Sequence, residues 1–593
     1  MTMSLYSLHF VIATILATVL SVILSYSWRM RFIAAIAIPI SFYTLFYNFN
    51  YGIVGGFFPI AVSYAGSAYI CLLFLVLVSA KYVTIQTLVV QKIFRKIVLL
   101  FFAQFFCVLL ASIIPWAFDT FPLSNIEAVL FTLFAGTNEG SEEFVISSIS
   151  DKVVVPCIKI FVVLVIVQMS FAFALHRMDR GIEFCFKKIR YSLNSGEFKI
   201  SLFQLQKGLT SVFVFYCFVL SLTIPGIVLS APFRALLQIP VDSELYRNHF
   251  EHLDSLKYGS PGKPRNLIVI LMESMETNFE HYTPEIVERK NNNTNFSPGG
   301  MSVAGTSWTI AAITAKLCGI PLNMPMGINE YLGKLPTYLP GAKCLMDYLR
   351  DFGYNQIFVQ GSSGSFTQIN DFCEVHGSLE LHDLEYYKQN GLISKDYRVF
   401  WGIEDRKLYH FIKGDLERLS HANKPFALYM STMDTHLPEG YVDSKCAEEF
   451  ADVVGKYPKA LRCASKQLDD FLKWAELQPW YANTTISIMG DHTMPSLSVK
   501  AGVPRSDSLY WTNFIINSAV TIPVRERQYS SLDMFPTLLE AMGFKLENRS
   551  AGLGRSLYSD SLTMLELYGR QVLDSLLRER SIQYDDFLFG KKN

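Results

Sequence analysis

The residues best suited to chemistry lie in the second half of the chain, at the ends of short apolar runs. Asn266-Leu-Ile-Val-Ile-Leu-Met272 ends in Glu273-Ser274. The run 426–430 (FALYM) leads into Ser431-Thr-Met-Asp-Thr-His436, and 485–489 (TISIM) into Gly490-Asp491-His492. Runs of this kind suit strands buried on both faces of a parallel sheet. Ligands of such sheets bind beyond the carboxyl ends of the strands. Three strands would therefore deliver Glu273, His436, Asp491 and His492 to one edge. Taken singly, a Glu closing a strand is ordinarily a solvated terminus, and Asp-His after a strand is ordinarily a capped turn. Taken together they form a mixed oxygen and nitrogen donor set of the kind zinc or manganese accepts. A fourth element, Gly305-Thr306-Ser307-Trp308-Thr309, opens a predicted helix, Ile310 to Leu317, running up to Cys318. The simplest role for Thr306 is an N-cap. The chemical alternative is a hydroxyl at a helix terminus that favours phosphate, deprotonated on a metal and able to attack phosphorus.

The elements that must hold these residues read as alternating β and α. Further apolar runs lie at 356–359 (QIFV) and 513–516 (NFII), and helix-length segments at 307–318, 343–352, 402–417 and 460–475. Alternation of this kind predicts a mostly parallel sheet wrapped by helices. Gly259-Ser-Pro-Gly-Lys-Pro264 is a breaker cluster ahead of the first strand, and 291–295 (NNNTN) reads as a polar loop tip.

The first half differs sharply. The 593 residues are 51% hydrophobic and 18% charged, below the ~25% charged of ordinary soluble chains. Within residues 1–80 the only charged side chains are Arg29 and Arg31. Apolar runs near 8–27, 32–50, 57–79, 96–117, 154–175 and 209–231 are of bilayer-crossing length. Five spans fit as well as six if the first run only lies in the membrane. No cleavable leader is evident, and Leu123 to Phe134 reads as a short interfacial helix. The loops 81–96 and 176–207 are basic, whereas 118–152 is acidic, so the positive-inside rule puts residues 240–593 outside the cytoplasm. The organisation expected is a transmembrane domain (1–239), a juxtamembrane connector (240–265) and an extracytoplasmic catalytic domain (266–593). Lys plus Arg and Asp plus Glu both total 52, so charge gives no support to a nucleic-acid partner.

The order Glu273-Ser274, Gly305-Thr306, His436 and Gly490-Asp491-His492 after a membrane block resembles the sulfatase-like branch of the alkaline phosphatase superfamily. The phosphoglycerol transferases of periplasmic glucan synthesis are most similar. They share Gly305-Thr306-x-x-Thr309-Ile310-Ala311, Cys318-Gly-Ile-Pro-Leu322, Val359-Gln-Gly361, Trp401-Gly402 and Asp434-Thr-His436-x-Pro438, with Asp533 to Glu540 and Gly552 to Ser556 in the tail. Lipoteichoic acid synthase and the lipid A phosphoethanolamine transferases are similar more loosely. The resemblance implies one divalent metal held by Glu273, Thr306, Asp491 and His492, manganese first, with zinc or magnesium as alternatives. It implies Thr306 as nucleophile, and His436 at the substrate phosphate or leaving group. It implies a bacterial inner-membrane enzyme whose catalytic domain lies in the periplasm. The donor would be phosphatidylglycerol and the acceptor a glycan or lipopolysaccharide sugar. Lipoteichoic acid synthase carries a Trp and an Arg in its head-group loop. The corresponding 362–370 has no basic residue, leaving Gln360, Ser365, Phe366 and Gln368 as head-group candidates.

Cys446 and Cys463 flank a polar loop and are paired on that ground; Cys318 with Cys344 is the second pairing, and both pairs resemble cysteines of the glucan enzymes. Cys373 would stay free. Disulfides suit an oxidising periplasm. The alternative functions are phosphoethanolamine transfer to lipid A or another glycan, and a non-catalytic membrane sensor with a decayed domain. The intact Glu, Thr, Asp and His set speaks against the sensor. A sulfatase proper lacks support because no Cys/Ser-x-Pro-x-Arg motif is present in 240–593; the one match in the chain, Ser230 to Arg234, lies in the apolar first half.

Overall fold

The computed structural model describes residues 241–253, 257–258, 264–323, 338–365, 368–436, 439–494, 510–520, 525–579 and 581–590, with Val154 and Ile158 as isolated positions. The expected membrane spans, the interfacial helix at 123–134 and Phe366 lie outside the described residues. Among the described residues no helix is long and apolar enough to cross a membrane.

The strands of the main sheet are β1 (Asn266–Met272), β2 (Thr294–Ser297), β3 (Asn355–Gln360), β4 (Glu380–His382), β5 (Phe426–Ser431), β6 (Thr484–Gly490), β7 (Asn513–Ile516) and β8 (Arg525–Glu526). Their spatial order is β4-β3-β5-β1-β6-β7-β2-β8. Pairing is parallel from β4 through β6 and antiparallel where β7 meets β6 and β2. β1 sits at the centre, with every residue from Asn266 to Met272 buried. Helices cover both faces, which is why the strands read as unbroken apolar runs rather than alternating ones.

The flanking helices follow from amphipathic spacing. In α3 (Lys456–Glu476), Leu461, Ala464, Leu468, Phe471, Leu472 and Ala475 form the buried stripe. α2 (Asp405–Ser420) buries Leu408, Ile412, Leu416 and Leu419. α1 (Thr309–Cys318) differs: every residue from Ile310 to Cys318 is buried, as for a helix enclosed on all sides. The buried side chains fall into two large clusters that draw alternate residues of β1: Leu267, Val269 and Leu271 in one, Ile268, Ile270 and Met272 in the other.

Two readings change. Residues 291–295 are not a loop tip: a helix ends at Asn291 and Thr294 and Asn295 open β2. The Asn295 amide donates to the carbonyls of Lys290 (2.8 Å) and Asn293 (3.2 Å), so a polar side chain satisfies the turn from within the strand. The connector is no mere tether either. Leu245 and Tyr246 of its short helix are buried, Tyr246 packs against Phe587, and Glu251 exchanges backbone hydrogen bonds with Gly552.

Disulfides join Cys318 to Cys344 and Cys446 to Cys463. Cys373 is free and buried, and burial pushes its thiol far above the ordinary range.

Candidate active site

Parallel pairing of β5, β1 and β6 brings the ends of all three strands to one edge. Leu271 lies opposite Ser431, and Met272 opposite Gly490. Beyond that edge Glu273, Asp491 and His492 converge, with one potential ligand atom from each within 4.8 Å of the others. His492 Nε2 is 3.3 Å from Asp491 Oδ2 and 3.9 Å from Glu273 Oε1. All three side chains are buried.

Neighbouring bonds fix each group. The Glu273 N–H donates to Thr432 Oγ1 (3.0 Å), and its carbonyl accepts from Thr435 Oγ1 (2.6 Å). Ser274 Oγ donates to Glu273 Oε1 (2.6 Å), while the Ser274 N–H donates to Asp491 Oδ1 (2.8 Å). Ser274 does this with φ 51, a conformation that costs a non-glycine residue of order 1 kcal/mol or more and recurs at functional sites. The glycine before Asp491 is required: a Cβ on Gly490 would meet the Met275 carbonyl at 2.1 Å. His492 Nδ1 faces the Thr493 carbonyl at 3.0 Å, so Nδ1 carries the proton and the Nε2 lone pair points into the cluster.

The electrostatics are those of crowded carboxylates in a dry site. Burial, reinforced by the charge of Glu273, pushes Asp491 up to about 7. Burial also opposes the ionised form of Glu273, but the fields of His436 and His492 and the Ser274 hydrogen bond outweigh it and hold this carboxyl low. Burial opposes charge on His492 as well; Asp491 and Glu273 outweigh it and raise the imidazole pKa. Asp491 Oδ2 is buried with no hydrogen-bond partner. An orphaned buried carboxylate oxygen facing an imidazole lone pair and a second carboxylate fits a divalent cation, which would relieve the repulsion and satisfy the orphan.

The two threonines of the 305–309 segment separate here. Thr306 is wholly buried. Its Oγ1 donates to the Val303 carbonyl and accepts from the Val303 N–H, both at 2.9 Å. It does not cap α1, whose N-cap position is Trp308. Gly305, at φ 72, makes this turn possible, since a Cβ there would meet Asn323 Oδ1 at 2.6 Å. Thr309, the first residue of α1, is part-exposed. Its Oγ1 lies 3.5 Å from Glu273 Oε2 and 3.5 Å from His492 Nε2. The hydroxyl brought to the donor set is therefore that of Thr309 and not, as the sequence suggested, that of Thr306. The signal was the second Thr of the motif, three residues on, at the first position of α1.

His436 is part-exposed, and its ring centroid lies 4.4 Å from that of Trp401. Asp405 sets the turn that carries it, accepting from the N–H groups of Met433 (2.7 Å) and Asp434 (3.1 Å). Burial pushes the Asp405 carboxyl up to about 7. Sequence reasoning missed Asp405, which no motif marks. Of the head-group candidates, Gln360 is buried, with its amide committed to the carbonyls of Ser362 and Ser363 in its own loop. Ser365 bonds Ser363. Gln368 stands at the N-terminus of a short helix with φ 61. None of these hydrogen bonds reaches the cluster.

Residues 265–544 match the sulfatase family profile. The chain is 31% identical over 264 residues to "Phosphoglycerol transferase I" of Xanthomonas campestris pv. campestris (strain B100), covering 44% of this chain and 37% of that protein. It is 32% identical over 241 residues to the Citrobacter koseri protein of the same name, covering 39% and 31% respectively. The chain thus matches about a third of the length of these relatives. Among solved structures, the lipoteichoic acid synthase LtaP of Listeria monocytogenes matches at 15% identity and TM-score 0.42, covering 57% of this chain and 96% of that one. The sheet and the converging strand ends lie within residues 265–544, the segment that matches the sulfatase family model.

Proposed function

We propose that the chain is a metal-dependent phosphotransferase that moves the phosphoglycerol head group of phosphatidylglycerol to a periplasmic glycan or lipopolysaccharide sugar. The observation that carries this reading is the Thr309 hydroxyl, 3.5 Å from both Glu273 Oε2 and His492 Nε2 at the edge of a buried donor set. The relatives named phosphoglycerol transferase I support the choice of head group. The apolar, charge-segregated first half supports a lipid donor met at the outer face of an inner membrane.

Glu273, Asp491, His492 and the Thr309 oxygen would hold one divalent cation, manganese or zinc. Such a cation lowers the pKa of the hydroxyl and stabilises charge developing on the phosphate oxygens. Thr309 Oγ, its proton already lost to solvent and the residue resting as the alkoxide, attacks phosphorus, the new O–P bond forms, and the bond to the diacylglycerol oxygen breaks. His436, held by Trp401 at the exposed side of the cluster, gives that oxygen its proton. An acceptor hydroxyl then enters from the same side, returns a proton to His436, and displaces Thr309 from phosphorus. Ser274 keeps the Glu273 and Asp491 carboxylates apart and oriented through both displacements.

Phosphoethanolamine transfer would use the same atoms with a different head group. Incubation of the full-length chain with labelled phosphatidylglycerol and phosphatidylethanolamine separates the two. Release of diacylglycerol from phosphatidylglycerol alone is expected. Release from phosphatidylethanolamine alone would overturn the head-group assignment, and release from neither would overturn the transferase reading.

A further inference from the structure

Lys316 is a buried charged residue that the foregoing chemistry leaves unused. It lies seven residues after Thr309, two turns along the same face of α1, and is wholly inaccessible to solvent. Lysine is almost never fully buried without partners, and here the partners are specific. Nζ donates to the Asp491 carbonyl (2.9 Å) and to Ser531 Oγ (2.9 Å), and it rests 3.7 Å from the ring centroid of Trp511. The N–H and Oδ1 of Asp491 are committed as well. Its N–H donates to the Met272 carbonyl (3.0 Å), and Oδ1 accepts from Ser274 (2.8 Å) and His492 (2.7 Å). Only Oδ2, the orphaned atom, is left for a ligand.

We infer that Lys316 is a positioning residue: it ties the helix that carries Thr309 to the main chain of Asp491, fixing the aim of Oδ2 and its distance from the Thr309 hydroxyl. The inference rests on the reading of the site as a cation-binding phosphotransferase centre. Two N–H donors make both bonds, so the tie holds in either protonation state of the amine. A competing effect has the opposite sign. A buried ammonium would repel a cation, so a purely electrostatic role predicts tighter metal binding once Lys316 is removed. A positioning role predicts weaker binding, because outer contacts of metal ligands are typically worth on the order of ten- to a hundredfold in affinity.

The test uses metal-free full-length chain in detergent, titrated with Co2+ alone and followed by its visible absorption bands. Lys316→Met keeps the length and bulk over Trp511 and removes the donors. We expect cobalt to bind at least tenfold more weakly, with altered bands, and kcat to fall at saturating metal while KM stays within about threefold. Lys316→Gln, which keeps a donor on a shorter stem, is expected to fall between the two and decides the matter should the Met variant not fold. Ser531→Ala, which spares the bond to Asp491, should bind cobalt within about threefold of wild type. Unchanged or tighter binding by either Lys316 variant overturns the inference alone, as does an equal loss in Ser531→Ala. A wild-type chain that takes up no cobalt overturns the site reading and this inference with it.

Discussion

Replacing each threonine of the 305–309 segment by alanine should produce opposite phenotypes. The Thr306 hydroxyl is buried and exchanges two 2.9 Å hydrogen bonds with Val303. Its removal leaves the Val303 N–H without that acceptor, whereas the Val303 carbonyl keeps the Thr306 N–H at 3.1 Å. An orphaned buried donor costs about 1–3 kcal/mol. At about 2 kcal/mol, a domain of this size should lose about 3 °C in Tm. Turnover should stay within a few-fold, because nothing at the donor set is removed. Thr309 is the reverse case. Its contacts, at 3.5 Å from Glu273 and His492, sit at the limit of hydrogen bonding and contribute little to stability, so Tm should hold within about 1 °C. Loss of a covalent nucleophile should lower kcat on the order of 10^3-fold or more. The assay pairs differential scanning fluorimetry with diacylglycerol release from labelled phosphatidylglycerol. Intact-protein mass spectrometry adds the adduct, expected on Thr309. Should Thr306→Ala be inactive at native Tm while Thr309→Ala turns over, or should the adduct map to Thr306, the assignment of the nucleophile fails.

Two stability predictions follow from groups away from the chemistry. Burial opposes ionisation of Asp347, but the His376 contact (3.0 Å) and the Cys344 and Gly377 N–H groups outweigh it and hold this carboxyl below its ordinary range. A depressed carboxyl stabilises the fold above the unfolded value, about 3.9, and that contribution disappears as pH falls through the lower folded value. The Tm gap between wild type and Asp347→Asn should therefore be flat above about pH 5 and narrow below about pH 4; a gap independent of pH would refute this. The Cys446–Cys463 disulfide spans 17 residues, which by chain entropy is worth about 3 kcal/mol. Denaturant unfolding of the Cys446→Ser, Cys463→Ser double variant should show a loss of that order, and wild-type stability in the variant would contradict it.

Much of the domain was legible because its strands are buried on both faces. The runs at 266–272, 426–430, 485–489 and 513–516 appear within a residue of the observed strands, since nothing polar interrupts a centrally placed parallel strand. β2, β4 and β8 escaped notice. They are two to four residues long and carry polar residues such as Asn295, Glu380 and His382, so their strand character comes from neighbours rather than from their own pattern. Asp405 and Lys316 were invisible for a related reason. A charged residue within a helical segment reads as solvated surface unless the fold encloses it.

Residue type and order alone determined that two strand ends would carry Glu273, Asp491 and His492, with His436 after a third, because a parallel sheet puts the carboxyl ends of its strands on one side. They also determined that a Thr-bearing helix start would stand near them. Which threonine reaches the donors could not be decided that way. Thr306 and Thr309 share a motif and a residue type, and both precede or open the same helix. The choice depended on a turn at Gly305 that closes the Thr306 hydroxyl onto Val303. It depended equally on α1 starting at Thr309 rather than earlier. Both are consequences of where the chain packs, and hydrogen-bond partners distant in sequence are settled only when packing brings them together.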